Sequence, residues 1–167
     1  MRLLFVPLLL ASFASAETKL EFRVSGKSDS APTLEQLKSK LTSKTVAVKS
    51  PFTDPPYRTK NYEGFALREV LDLGFGQRWL SPEYSHIAFV ALDGYTAIFA
   101  LSKAEEEGGV LAFRDADRAD GSWEPVGTRK SDPGPFFTVW IGTAQSTANE
   151  CPWPWQVAAR NLIRLED

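Results

Sequence analysis

The apolar positions change period several times along the chain, and each change marks a boundary between elements. In TKLEFRVSGK, Leu20, Phe22 and Val24 alternate with charged or small residues, the pattern of a strand with one buried face. A loop, GKSDSAP, is expected next. Thr33 and Gln36 then form a capping-box pair ahead of Leu34, Leu37 and Leu41, which share one helical stripe. Residues 45–48 return to a period of two. The proline-rich PFTDPPYR excludes regular structure until about Asn61, because proline lacks the backbone donor and fixes φ. In YEGFALREVLDLGF the spacing of Leu67, Val70 and Leu71 predicts a helix, with Gly74 placed to take the left-handed conformation at its end.

Farther on, HIAFVALDGYTAIFALSK holds two β-branched and aromatic runs, 87–92 and 96–101, on either side of Asp93, Gly94 and Tyr95, which reads as a hairpin. Ser102 and Glu105 form a second capping pair, expected to open one helical turn that Gly108 and Gly109 end. The acidic run Glu105, Glu106, Glu107 is expected on the solvated start of that turn, where the helix dipole favours it. VLAFRDA, PFFTVWI and RNLIRLE supply further strands. No internal repeat or second domain boundary interrupts them. Several strands with a few short helices between Pro/Gly-rich loops predict one mixed α+β domain rather than an alternating doubly wound fold. Five tryptophans and eleven phenylalanines are enough to fill its core.

The first residues change the expected compartment. MRLLFVPLLLASFASAET has a basic start at Arg2, a short apolar run, and small residues at Ala14 and Ala16, which reads as a cleavable export signal cut after Ala16. The division is a signal over 1–16 and a domain over 17–167, bound for the periplasm or the exterior. The run falls short of the roughly 20 residues a membrane span needs. Cys151 is the only cysteine, so an internal disulfide is excluded and packing must stabilise the fold. The net charge is -2, and an acidic balance argues against nucleic acid as a partner.

The order of several blocks resembles the oxidoreductase molybdopterin-binding domain of the sulfite oxidase type. The blocks are Y-x-G-x-x-L-R-x-V-L from Tyr62, F-V-A-L-D-G-Y from Phe89, G-G-V-L-A-F from Gly108, P-G-P-F-F-T-V-W from Pro133, and a closing W-x-x-x-x-x-x-L-I-x-L. The resemblance spans roughly residues 45–167 and implies the mixed α+β sulfite-oxidase fold. In that family a cysteine thiolate near the early helix and the D-G-Y hairpin holds molybdenum, and cationic and backbone N–H donors hold the pterin phosphate. Here no cysteine lies between Asn61 and Tyr95, and Cys151 does not match the ligand position, so no metal ligand carries over. A soft metal without its thiolate is poorly held. The resemblance then implies a binding or accessory module with no cofactor, set beside a periplasmic redox protein or a small ligand. Two alternatives stay open: a molybdopterin-dependent oxidoreductase with an atypical ligand such as Cys151, and a non-catalytic interaction protein using its Trp-rich C-terminal segment.

Individual residues divide between structural and chemical roles. Asp93-Gly94-Tyr95 can turn the chain and also border a ligand cleft, since a rigid turn presents side chains well. Long proline- and aromatic-rich loops border sites, which makes Asn61 and Tyr62 cleft candidates together with Asp93, Tyr95 and Arg129. Arg114, Arg129 and Lys130 are candidate anion ligands, with ordinary surface charge as the alternative. Trp153 and Trp155 are expected to cover the core or an edge, or to form an aromatic patch for a partner. His86 stands alone, so neither a Ser-His-Asp device nor a zinc site is encoded by recognisable spacing.

Overall fold

The computed structural model describes residues 17–49, 58–142 and 153–164. The expected export signal, most of the proline-rich segment and Cys151 lie outside them. Among the described residues the chain is a strand-rich mixed α+β domain with its strands in two sheets.

The first sheet begins with β1 (Glu21–Val24), which buries Phe22 and half-buries Val24 as the alternation predicts. β2 (Lys27–Ser30) pairs antiparallel with it where the sequence suggests only a loop. KSDS is exposed at every position, so its pairing rests on backbone hydrogen bonds and leaves no apolar signature. α1 (Leu34–Lys40) starts at the expected capping box: Gln36 N–H donates to Thr33 Oγ1 at 3.1 Å and Thr33 N–H to Gln36 Oε1 at 2.9 Å. Only Leu37 of its stripe is fully buried.

β3 (Lys44–Lys49) buries Val46 and Val48 and pairs antiparallel with β4 (Thr59–Ala66). β4 takes in Tyr62 to Ala66, which the sequence reading assigns to a helix; α2 (Leu67–Phe75) begins only after it. The backbone of YEGFA pairs with β3 on one side and β7 (Gly109–Asp115) on the other, so long-range pairing overrides the helical reading. The helix end is also displaced. Gly76, with φ +59°, terminates α2, whereas Gly74 lies inside it because Phe22's ring leaves no room for a β-carbon there. Phe22 then meets Phe75 edge to face, with centroids 5.0 Å apart, which seats α2 on the first sheet. A 3₁₀ turn, Gly76–Leu80, follows and buries Trp79.

β5 (His86–Ala91) and β6 (Thr96–Ala100) form the expected hairpin. α3 (Leu101–Glu105) does not use Ser102 as its cap. Ala100 takes that place without a side-chain hydrogen bond, and the acidic run lies at the end of α3 rather than its start. β8 (Phe137–Trp140) and β9 (Val157–Ile163) complete the set, β9 beginning three residues before RNLIRLE. The sheets run β2-β1-β9-β5-β6, with β1 and β9 parallel, and β3-β4-β7-β8, all antiparallel. Phe99 of β6 meets Trp140 of β8 at 5.9 Å, so the two sheets share an interior. No helix among the described residues is long and apolar enough to cross a membrane.

Candidate functional site

β4 and the end of β7 carry an unusual internal charge. Lys60 alternates with Tyr62 on the inward face of β4, and the Lys60 side chain is only 7% exposed. Its ammonium reaches three carboxylates: Glu124 at 2.9 Å, Asp115 at 3.1 Å and Asp117 at 3.3 Å. An ammonium has three N–H donors, so these three acceptors saturate it. Burial pulls Lys60 down, but the hydrogen bonds it donates to Glu124 and Asp115 outweigh it and hold the amine above the ordinary lysine value. It therefore stays protonated and has no lone pair for nucleophilic work. Arg58 adds a second cation on Glu124 at 2.7 Å.

The network ties a loop to the sheet. Asp115 accepts from the N–H groups of Asp117 and Glu124, at 3.0 and 3.2 Å. Asp117 accepts from both the backbone N–H of Asn61, at 2.9 Å, and its side-chain amide, at 2.8 Å. Those bonds, the backbone one first, hold Asp117 below the usual carboxylate range. The Asn61 amide is thus occupied by a neighbour. Tyr62 is 2% exposed and packs edge to face on Phe137, with Trp123 6.2 Å away across a tilted contact. Burial, and then the charge of Asp115, push its phenol up to about 12. Tyr62 is accordingly a neutral, packed side chain at neutral pH.

The hairpin tip belongs to the other sheet. Asp93 Oδ1 accepts from the Tyr95 N–H at 2.9 Å and Gly94 has φ +87°, so the trio performs its turn. Asp93 and Tyr95 are exposed, as are the neighbouring apolar side chains Leu92 and Ile98. Arg129 is exposed on the turn between Val126 and Ser131, beside Lys130 at φ +53°.

A relay of contacts joins these places. The Leu92 N–H donates to Gln156 O at 2.9 Å, the Gln156 N–H to Pro133 O at 2.8 Å, and the Gln156 side-chain amide to Asp132 O at 2.9 Å. Next to Pro133, Gly134 is pressed so closely by the Trp123 indole that no β-carbon fits, and its peptide bond to Pro135 is cis. Trp123 in turn faces Tyr62. Trp155 lies beside Gly127, at the start of the Arg129 turn. The structure thus links Tyr62, the 131–135 loop and the Asp93 hairpin, with Asn61 bound into the Lys60 network and Arg129 on an adjoining turn.

Other candidates resolve differently. Arg114 pairs with Glu63 at 2.6 Å and is not a free anion ligand. His86 Nδ1 lies 3.0 Å from Ser85 Oγ. Trp153 is buried against Phe137, the core-cover role; Trp155 is half-buried. Cys151 lies outside the described residues. A separate open cleft of about 550 Å³ runs between the start of α2 and the acidic run, lined by Arg68, Glu69, Glu105, Glu107, Gly109 and Ile141 among others. No group of three His, Cys, Asp or Glu side chains among the described residues is arranged to hold a metal ion.

Lys60, Trp123, Asp115, Asp117 and Glu124 escape the sequence reading. Their signal was a lysine on the apolar alternation of β4, which becomes visible only once 59–66 is read as a strand. Arg160 escapes too. It is 0% exposed on the apolar side of β9, where the sequence shows only a charged residue inside a strand-like run.

Compared with the models of known protein families, the chain matches none, and a search of curated proteins found no match either.

Proposed function

We propose that this chain is an exported binding or accessory module on a sulfite-oxidase-type scaffold, serving a redox system by holding a small ligand without molybdenum. One observation carries the reading. Three of the blocks that bear the resemblance, at Tyr62, at Asp93-Gly94-Tyr95 and at Pro133-Gly134-Pro135, are widely separated in sequence yet tied together through Trp123 and Gln156. Such a junction of rigid loops on two sheets is where a fold of this kind presents a site. The Lys60 network supports it by fixing Asn61 and the loop that carries Trp123. Asp93, Tyr95 and Arg129 supply exposed polar and aromatic groups for the ligand.

The test is made on protein purified from the exported fraction of a molybdenum-replete host. Elemental analysis should find molybdenum far below one atom per chain, and native mass spectrometry should find a small-molecule adduct. Tyr95→Ala and Arg129→Ala, both at exposed positions, should lose the adduct with unchanged melting temperature. Stoichiometric molybdenum would overturn the reading in favour of an oxidoreductase with an atypical ligand. A clean unliganded mass in the parent protein would overturn the ligand-holding role.

A further inference from the structure

Arg160 stands at the centre of the first sheet. Its register partners are Phe22 on β1 and Phe89 on β5, and paired residues in neighbouring strands share a face. That face carries Ile87, Phe89, Phe99 and Leu162 and is the one turned inward, since Phe99 touches Trp140 of the second sheet. Arg160 is 0% exposed, and none of its three guanidinium nitrogens has a hydrogen-bond partner among the described residues. What the guanidinium does have is the ring of Phe89, 4.0 Å from its central carbon. A π face offsets part of a cation's desolvation but accepts none of its five N–H donors in the way an oxygen does.

A buried arginine left in this state is costly, because an uncompensated charge in a protein interior loses several kcal/mol of hydration. Burial alone pushes Arg160 down to about 9, which still leaves it charged at neutral pH. A second group in the same interior is also unsatisfied. Thr138 is 0% exposed, and its Oγ1 has no hydrogen-bond partner among the described residues. Side chains alternate along β8, so Thr138 lies on the face of Trp140, the one that meets the first sheet.

We propose that Arg160 anchors a buried receptor for a small oxyanion, which takes the bidentate guanidinium fork and neutralises the interior charge. A tetrahedral phosphate or sulfate, or a planar carboxylate, has the acceptor geometry that such a fork matches. This inference rests on the unsatisfied Arg160 guanidinium and not on the molybdenum-free reading, and its adduct, unlike the one proposed at the hairpin, should survive Tyr95→Ala and Arg129→Ala.

The experiment compares thermal melts of the full exported chain at constant ionic strength in chloride, inorganic phosphate, sulfate and formate. At an anion concentration a hundred times its dissociation constant, the parent protein should melt about 5–10 °C higher than in chloride. The preferred anion should act saturably, and phosphate or sulfate against formate decides between a tetrahedral and a carboxylate ligand. Arg160→Leu should abolish the response whatever its own stability in chloride. Arg160→Lys, which keeps the charge and loses the planar fork, should weaken the response at least tenfold in concentration and guards against failure of the leucine variant to fold. An equal, non-saturating rise in parent and variants would reduce the effect to general salt action and overturn the proposal. So would a parent melting temperature that is the same in all four salts.

Discussion

At the scale of single residues, the interior formed by the described residues holds two cations in opposite situations. Lys60 is surrounded by acceptors, whereas Arg160 has only an aromatic ring. Geometry decides what each can contribute. For Lys60, removing the ammonium strands Asp115, whose side chain is 1% exposed, while Asp117 and Glu124, about a third exposed, can still reach water. Breaking a buried ion pair by deleting one partner costs about 3–5 kcal/mol. With two of the three carboxylates able to rehydrate, Lys60→Met should cost about 3 kcal/mol, read from urea unfolding at pH 7. A loss under 1 kcal/mol would show that the network is no more than a surface cluster.

At the scale of elements, α2 shows what the sequence could and could not convey. Its inner positions, Leu67, Val70 and Leu71, were legible because burial of one helical stripe leaves a 3.6-residue period. Its ends were not. The start is set by β4 pairing with β3 and β7, and the end by Gly76, while Gly74 serves a contact with Phe22, some 50 residues earlier in sequence. Pairing partners and close approaches are three-dimensional facts with no local period. The same holds for the site. Asp93-Gly94-Tyr95 was legible as a turn from its composition, but its link through Leu92, Gln156 and Pro133 joins segments that local patterns treat separately. Gly74 gives this a measurable form. Gly74→Ala puts a methyl group into the Phe22 ring, and overpacking of this kind costs about 1–3 kcal/mol despite alanine's better helix propensity. Phe22→Leu in the same chain should recover part of that loss, giving a coupling of at least 0.5 kcal/mol in a double-mutant cycle followed by urea. Strict additivity would mean that α2 does not seat on β1 through this contact.

At the scale of the whole molecule, the mixed α+β class was legible because strand and helix periods alternate along the chain. The division into two sheets was not, since β9 joins β1 and β5 from the far end of the sequence and polar β2 gives no signal. The Lys60 network depends on the pairing of β4 with β7, so global stability should report it through pH. In the folded chain Glu124 is held below the usual carboxylate range, first by its hydrogen bond with Lys60, and Asp117 first by the Asn61 N–H. The unfolded chain takes up these protons nearer pH 4.5 and 3.8, the folded chain only at lower pH. Between those limits the unfolded state binds more protons. Their contribution is therefore complete above about pH 5 and drains away as the pH falls through the folded values. In Lys60→Met that contribution shrinks: Glu124 keeps Arg58 but loses its main cation, with the carboxylates of Asp115 and Asp117 left close by. The stability gap between parent and variant should consequently be widest at pH 7 and narrow steadily between pH 5 and 3.5. Glu21 and Glu63, held low first by Arg23 and Arg114, keep their partners in both proteins and cancel from the difference. Urea unfolding of the pair across this range measures the gap directly. A gap that stays constant with pH would assign the role of Lys60 to packing of its hydrocarbon stem against β3 and leave the carboxylates without electrostatic work.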